Sequence, residues 1–76
     1  MRRIYRGSFT DVWTGDKKPT VTVMSVAEDN SHYEIYIQGK GVTVFEGADA
    51  WRRASVFVSD HNWDAETAIL REALYG

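Results

Sequence analysis

Two histidines, eleven carboxylates and five serines are the residues in this chain of 76 whose types could act on a substrate or hold a metal. Asp60-His61 with Asp64 offers oxygen and nitrogen donors, but a metal centre needs three or four convergent ligands held by a further layer of hydrogen bonds, and acids at this place equally serve the start of a helix. His32, like His61, stands beside a turn, and both read as solvated turn residues. A serine nucleophile needs a base that is itself oriented. No Gly-x-Ser-x-Gly elbow is present, and Ser8, Ser25, Ser31, Ser55 and Ser59 all have ordinary strand, turn or helix positions. The segment Gly39-Lys40-Gly41 lacks both the spacing and the following helix of a phosphate loop. Cysteine is absent, which removes thiolate zinc, disulfides and a thiol nucleophile. A chain of this length also has little room for a water-excluding pocket. The expectation is a protein that is not an enzyme, with no catalytic residue, cofactor or metal.

Binding remains, and two stretches carry it. Arg2, Arg3, Tyr5, Arg6 and Phe9 interleave cations with rings, and Lys17-Lys18 in the following loop could join them, so that rings stack on bases while cations hold phosphates. The charge balance weighs against this: the net charge is −2, with pI near 5.5. That total hides a split. Residues 1–27 hold five basic and two acidic residues, net +3, and residues 28–76 hold four basic and nine acidic residues, net −5. Charges on an edge strand also serve simply to block sheet-to-sheet aggregation. The second stretch depends on how the chain folds.

Hydrophobic residues make up 43% and aromatics 13%, too many for a disordered tail, and the length allows one α+β domain over residues 1–76. Such a short chain buries little surface, so Phe9, Trp13, Phe45, Trp51, Phe57 and Trp63 are expected in its core. Punctuation at Gly15–Pro19, Asp29–Ser31, Gly39–Gly41 and Gly47 separates four runs rich in β-formers, predicting strands over 3–13, 20–27, 32–38 and 42–46. In the second, Val21 and Val23 share a phase that Met24 breaks, which predicts either a bulge near Met24 or a central strand covered on both faces.

After Gly47 the period changes. Trp51, Ala54, Ser55 and Val58 recur at helical spacing, and Asp49 with Arg53 forms an i, i+4 pair, giving a helix over 48–59. A strand at Ser55–Val58 is the competing reading, because three bulky β-formers follow one another. Asp64 is placed to cap a last helix by accepting from Glu66 or Thr67, with Trp63 stapled onto Ala68. The fold expected is ββββαα, a four-stranded antiparallel meander followed by two helices packed on one face.

The 32–46 hairpin sets the second binding surface. A two-residue loop at Gly39-Lys40 places Ile37 opposite Val42 and Ile35 opposite Val44, gathering the aliphatics on one face. Tyr36 and Phe45 then point away together, bordered by Glu34, Glu46, Glu28 and Asp29. An aromatic centre with a charged rim is the anatomy of a protein-binding patch, although ordinary cross-strand pairing on a solvated face gives the same pattern.

A tyrosine-rich hairpin followed by Gly47-Ala48-Asp49-Ala50-Trp51 and a helix resembles the layout of many small phage and mobile-element proteins. Among them are the anti-CRISPR proteins, compact acidic α+β chains that bind a nuclease complex and block it. The resemblance is one of pattern along most of the chain and transfers no functional residue. It implies a phage-encoded inhibitor acting by occlusion on a Cas effector complex of the host, with carboxylates competing for surfaces that normally hold nucleic acid. The basic stretch Arg2–Arg6 departs from a simple nucleic-acid mimic. Met1-Arg2-Arg3 is followed by Ile4-Tyr5-Arg6 instead of an apolar stretch, and runs as short as Val56–Val58 do not span a bilayer. The expected setting is therefore cytoplasmic and away from membranes. The expected state is a monomer, or a homodimer joined through an exposed sheet edge or its rings.

Overall fold

Alternation of period two runs through the first half of the chain and period 3.6 through the second, and the computed structural model, which describes residues 1–76, follows both. Four strands, β1 (Arg2–Gly7), β2 (Val21–Ser25), β3 (His32–Ile37) and β4 (Gly41–Glu46), precede α1 (Ala50–Ser59) and α2 (Trp63–Tyr75). The strands form one antiparallel sheet in the order β1-β2-β3-β4. This is the expected ββββαα meander. Helix α1 packs on β3 and β4, and α2 packs on β1 and β2.

The core lies between sheet and helices. Val21, Val23, Tyr33, Ile35 and Ile37 meet Ala50, Ala54, Val58, Ala65 and Ile69, all buried. Three of the five helical residues are alanines, which let the helix backbones approach the sheet closely. Ser55–Val58 is helical, not a strand. Buried Ala50, Ala54, Ser55 and Val58 form one stripe, and the Ser55 hydroxyl donates to the Arg52 carbonyl at 2.8 Å, so tertiary burial overrides the β-propensity of Val56-Phe57-Val58.

Several details differ from expectation. The irregularity near Met24 is on the neighbouring strand: the ladder shifts between Arg3 and Tyr5, leaving Ile4 as the extra residue. Strand β2 thus alternates regularly and lies inside the sheet. The first strand is shorter than 3–13. Beyond Gly7 the chain makes an excursion closed by a Thr10–Lys17 bridge, with the Lys18 amide donating to the Phe9 carbonyl at 2.8 Å.

The β3–β4 hairpin also has a different register. Its loop is Gln38–Lys40, closed by the Lys40 amide donating to the Ile37 carbonyl at 2.8 Å. Gly39 and Gly41 take φ of +82° and +84°, left-handed conformations that glycine adopts without a Cβ penalty. Ile37 therefore faces Gly41, Tyr36 faces Val42, and Tyr33 faces Phe45. The one-residue slip exchanges the faces of every β4 side chain.

Only three of the six large rings pack against the core, namely Phe45, Trp51 and Phe57. Phe9, Trp13 and Trp63 are exposed, Trp13 at 93%. Helix α2 is capped by Asn62, not Asp64: the buried Asn62 side chain accepts from the Asp64 and Ala65 amides at 2.9 and 3.2 Å. Trp63 is thus the first helical residue and points outward, which removes the expected staple onto Ala68.

Candidate binding face

With both helices on one side, the other side of the sheet has no second layer. Cross-strand pairing fixes what it carries. One row runs Arg6–Thr22–Tyr36–Val42 and the next Arg3–Met24–Glu34–Val44, and His32 pairs with Glu46 beyond them. Tyr36, Val42 and Val44 are 41%, 51% and 47% exposed. A shallow hollow of about 560 Å³ follows the first row, lined by Arg6, Thr22, Tyr36 and Val42. Two arginines mark the β1 edge, Thr22, Met24, Glu34 and Tyr36 the middle strands, Val42 and Val44 the β4 edge, and His32 with Glu46 the far corner.

Hydrogen bonding orders that corner. The Tyr36 hydroxyl donates to Glu34 Oε1 at 2.6 Å, and this contact with the carboxylate raises the phenol above its ordinary 10.0. His32 Nε2 lies 3.6 Å from Glu46 and 3.9 Å from Glu34, a buried nitrogen without a hydrogen-bond partner.

The residues expected to form an aromatic patch are thereby divided. Tyr36, Glu34 and Glu46 share the open face. Phe45 does not: its ring lies 5.5 Å from that of Phe57 on the helix side, with the Arg53 guanidinium 5.9 Å above it. Phase reversal by the three-residue loop is the cause. Glu28 and Asp29 sit in the β2–β3 turn, where Asp29 Oδ1 accepts from the Ser31 amide at 3.1 Å and from the Ser31 hydroxyl, contacts that lower its carboxyl below the ordinary value.

The expected basic stretch is divided as well. Arg3 and Arg6 face the open side, paired across the ladder with Met24 and Thr22. Arg2 lies opposite buried Ser25 and forms an ion pair with Glu72 of α2, and Tyr5 packs against the core. Lys17 and Lys18 belong to the β1–β2 excursion. Lys18 lines a cleft of about 400 Å³ together with Phe9, Asp11, Asp60, His61, Asn62, Trp63 and Asp64. The His61 ring lies 5.6 Å from that of Phe57 and tilted by 55° to it, whereas His32 pairs with Glu46 on the open face, and no group of three or more donors converges as a metal site.

No protein-family model matches this chain, and no curated protein and no solved structure matches it either. Function therefore rests on geometry. No helix is long and apolar enough to cross a membrane.

Val42 and Val44 were not expected on this face because the two-residue loop assigned both valines to the core. A signal was available in the third strand. Tyr33 is in phase with Ile35 and Ile37, and pairing that phase with Phe45 places two rings beside Phe57. The second omission is the β1–β2 tip. The Asp11 side chain accepts from the Trp13 and Thr14 amides at 2.8 and 3.3 Å, and its carbonyl accepts from Gly15 at 2.7 Å. This bonded turn presents Val12 and Trp13 at 89% and 93% exposure.

Proposed function

We propose that this chain is a small non-enzymatic binding domain that acts by occlusion, covering a surface of a partner protein with the open face of its sheet. The carrying observation is that Tyr36, Val42 and Val44 stand half exposed and adjacent on a sheet face with no layer above it. Apolar side chains clustered on a solvated face, with charges at the margin, are the common composition of a contact surface. The order of elements along the sequence, which resembles that of anti-CRISPR proteins, supports a host nuclease complex as the partner class and the cytoplasm as the setting.

Affinity capture with Tyr36→Ala and Val44→Asp beside the unaltered chain tests this reading. A partner retained by the unaltered chain and lost from both variants, with unchanged circular dichroism, is expected. Equal capture by all three would place the contact elsewhere.

A further inference from the structure

Resting on the reading of the open face as a contact surface, we propose that in the free protein a second copy of this chain covers it, packed face to face about a two-fold axis parallel to the strands. Charge placement selects both the occupant and the axis. Arg3 and Arg6 stand on β1 at one edge of the face, and Glu34 and Glu46 stand on β3 and β4 toward the other. Arg2, Arg52 and Arg53 all pair with carboxylates of their own chain, whereas Arg3 and Arg6 have none.

A two-fold axis along the strands lays β1 of one copy over β4 of the other. Arg3 then lies above Val44, within reach of Glu34 and Glu46, and symmetry repeats the contact on the opposite side. An axis across the strands instead stacks β1 on β1 and sets arginine against arginine. Between these edges β2 of one copy lies over β3 of the other, so Thr22 meets Tyr36 and Met24 meets Glu34, while Val42 and Val44 pack under the stems of Arg6 and Arg3. Aligned sheets pack about 10 Å apart at roughly 30°, a spacing that side chains of this size fill. The isolated chain has ten buried hydrophobic residues, and a domain this small gains from a second apolar layer.

Sedimentation equilibrium of the full chain from roughly 5 to 500 µM tests the proposal, with reversible dimerisation and a Kd of about 10 µM, within that range, expected. Reversing one edge, by Arg3→Glu with Arg6→Glu or by Glu34→Lys with Glu46→Lys, weakens self-association by at least about tenfold. An equimolar mixture of the two reversed proteins restores it as a heterodimer. In the unaltered chain, amide resonances of Thr22, Tyr36 and Val44 shift with concentration while those of α1 and α2 stay fixed, a readout that needs no variant.

An unaltered chain that is monomeric throughout, or reversed proteins that still dimerise alone, overturns the second copy. If Tyr36→Ala and Val44→Asp still lose the captured protein, the contact face stands with another protein as its occupant. Monomers that bind a single-stranded oligonucleotide through Arg3 and Arg6, with affinity falling steeply in salt, overturn it in favour of nucleic acid.

Discussion

Tyr33 lies directly opposite Phe45 across the β3–β4 ladder, both on the helix side of the sheet. The Tyr33 hydroxyl also donates to Asn30 Oδ1 at 2.6 Å, which ties the buried ring to the turn before its strand. Phe45→Ala removes a half-buried ring from between Tyr33 and Phe57, and a loss of about 2 kcal/mol is expected in urea unfolding. Val44→Ala, one residue away on the open face, changes stability by at most about 0.5 kcal/mol. The register with Ile37 opposite Val42, set by a two-residue loop, would reverse that order.

Asn62 carries the start of α2 through two amide hydrogen bonds. Asn62→Ala is expected to cost about 1 to 2 kcal/mol, because it removes the cap and leaves those amides without their acceptor. Asp64→Asn loses only a favourable charge in the first turn, worth about 0.5 kcal/mol. Thermal unfolding of the pair separates a capping role at 62 from one at 64.

The hydroxyl of Tyr36 is expected to ionise above its ordinary 10.0, because Glu34 accepts its hydrogen bond and repels the phenolate. A phenol raised in the fold stabilises the native state below its unfolded value, and that contribution is lost as pH rises through the folded value. Near-ultraviolet titration should show two late phenols, Tyr33, raised by burial, and Tyr36, of which only Tyr36 returns toward 10.0 in Glu34→Gln. If neither late phenol moved in that variant, the hydrogen bond would be excluded.

Asp49 gives the opposite sign. Its hydrogen bond with the Arg53 guanidinium, Nε to Oδ1 at 3.1 Å, holds the carboxyl below its ordinary 3.8. The contribution is complete above that value and disappears as pH falls through the lowered one. Acid unfolding of Asp49→Asn should therefore be shallower below pH 3.8 than that of the unaltered chain. Parallel curves would remove the pair from the acid response.

The three tryptophans should differ in their access to solvent. Acrylamide quenches Trp13 and Trp63 strongly and Trp51 least, read in variants that retain one indole each. Trp13→Ala leaves stability within about 0.5 kcal/mol. A protected Trp13 would mean that the β1–β2 tip folds back onto the molecule.

Element type and order were legible because periodicity changes sharply at Gly47 and because the apolar positions of β2, β3 and α1 repeat without gaps. Register was less so. Two adjacent loop solutions at Gln38–Gly41 each bring together a consistent apolar set, one with two valines and the other with Thr43 and Phe45. The second prevails because Phe57 of α1 supplies a ring for Phe45, a contact between residues whose proximity only the packed helix reveals. The rings of Phe9, Trp13 and Trp63 misled for a related reason. Ring size marks the value of burial, but the β1–β2 excursion and the start of α2 carry these residues beyond the reach of the core. The division of the basic stretch was legible only in part, since alternation separates Arg2 from Arg3 but the bulge at Ile4 resets the phase before Arg6.

The ion pair between Arg2 and Glu72 joins opposite ends of the sequence, and its consequence is kinetic. Strands β2, β3 and β4 and helix α1 assemble from neighbours along the chain, whereas β1 receives its cover from α2, about 60 residues later, and closing that loop carries the largest entropy cost in the fold. Docking of α2 over β1 is thus expected to form late in folding, and native-state hydrogen exchange should find the β1 amides opening more readily than those of β2 and β3. Each such opening bares the inner side of an edge strand while the remaining sheet stays paired.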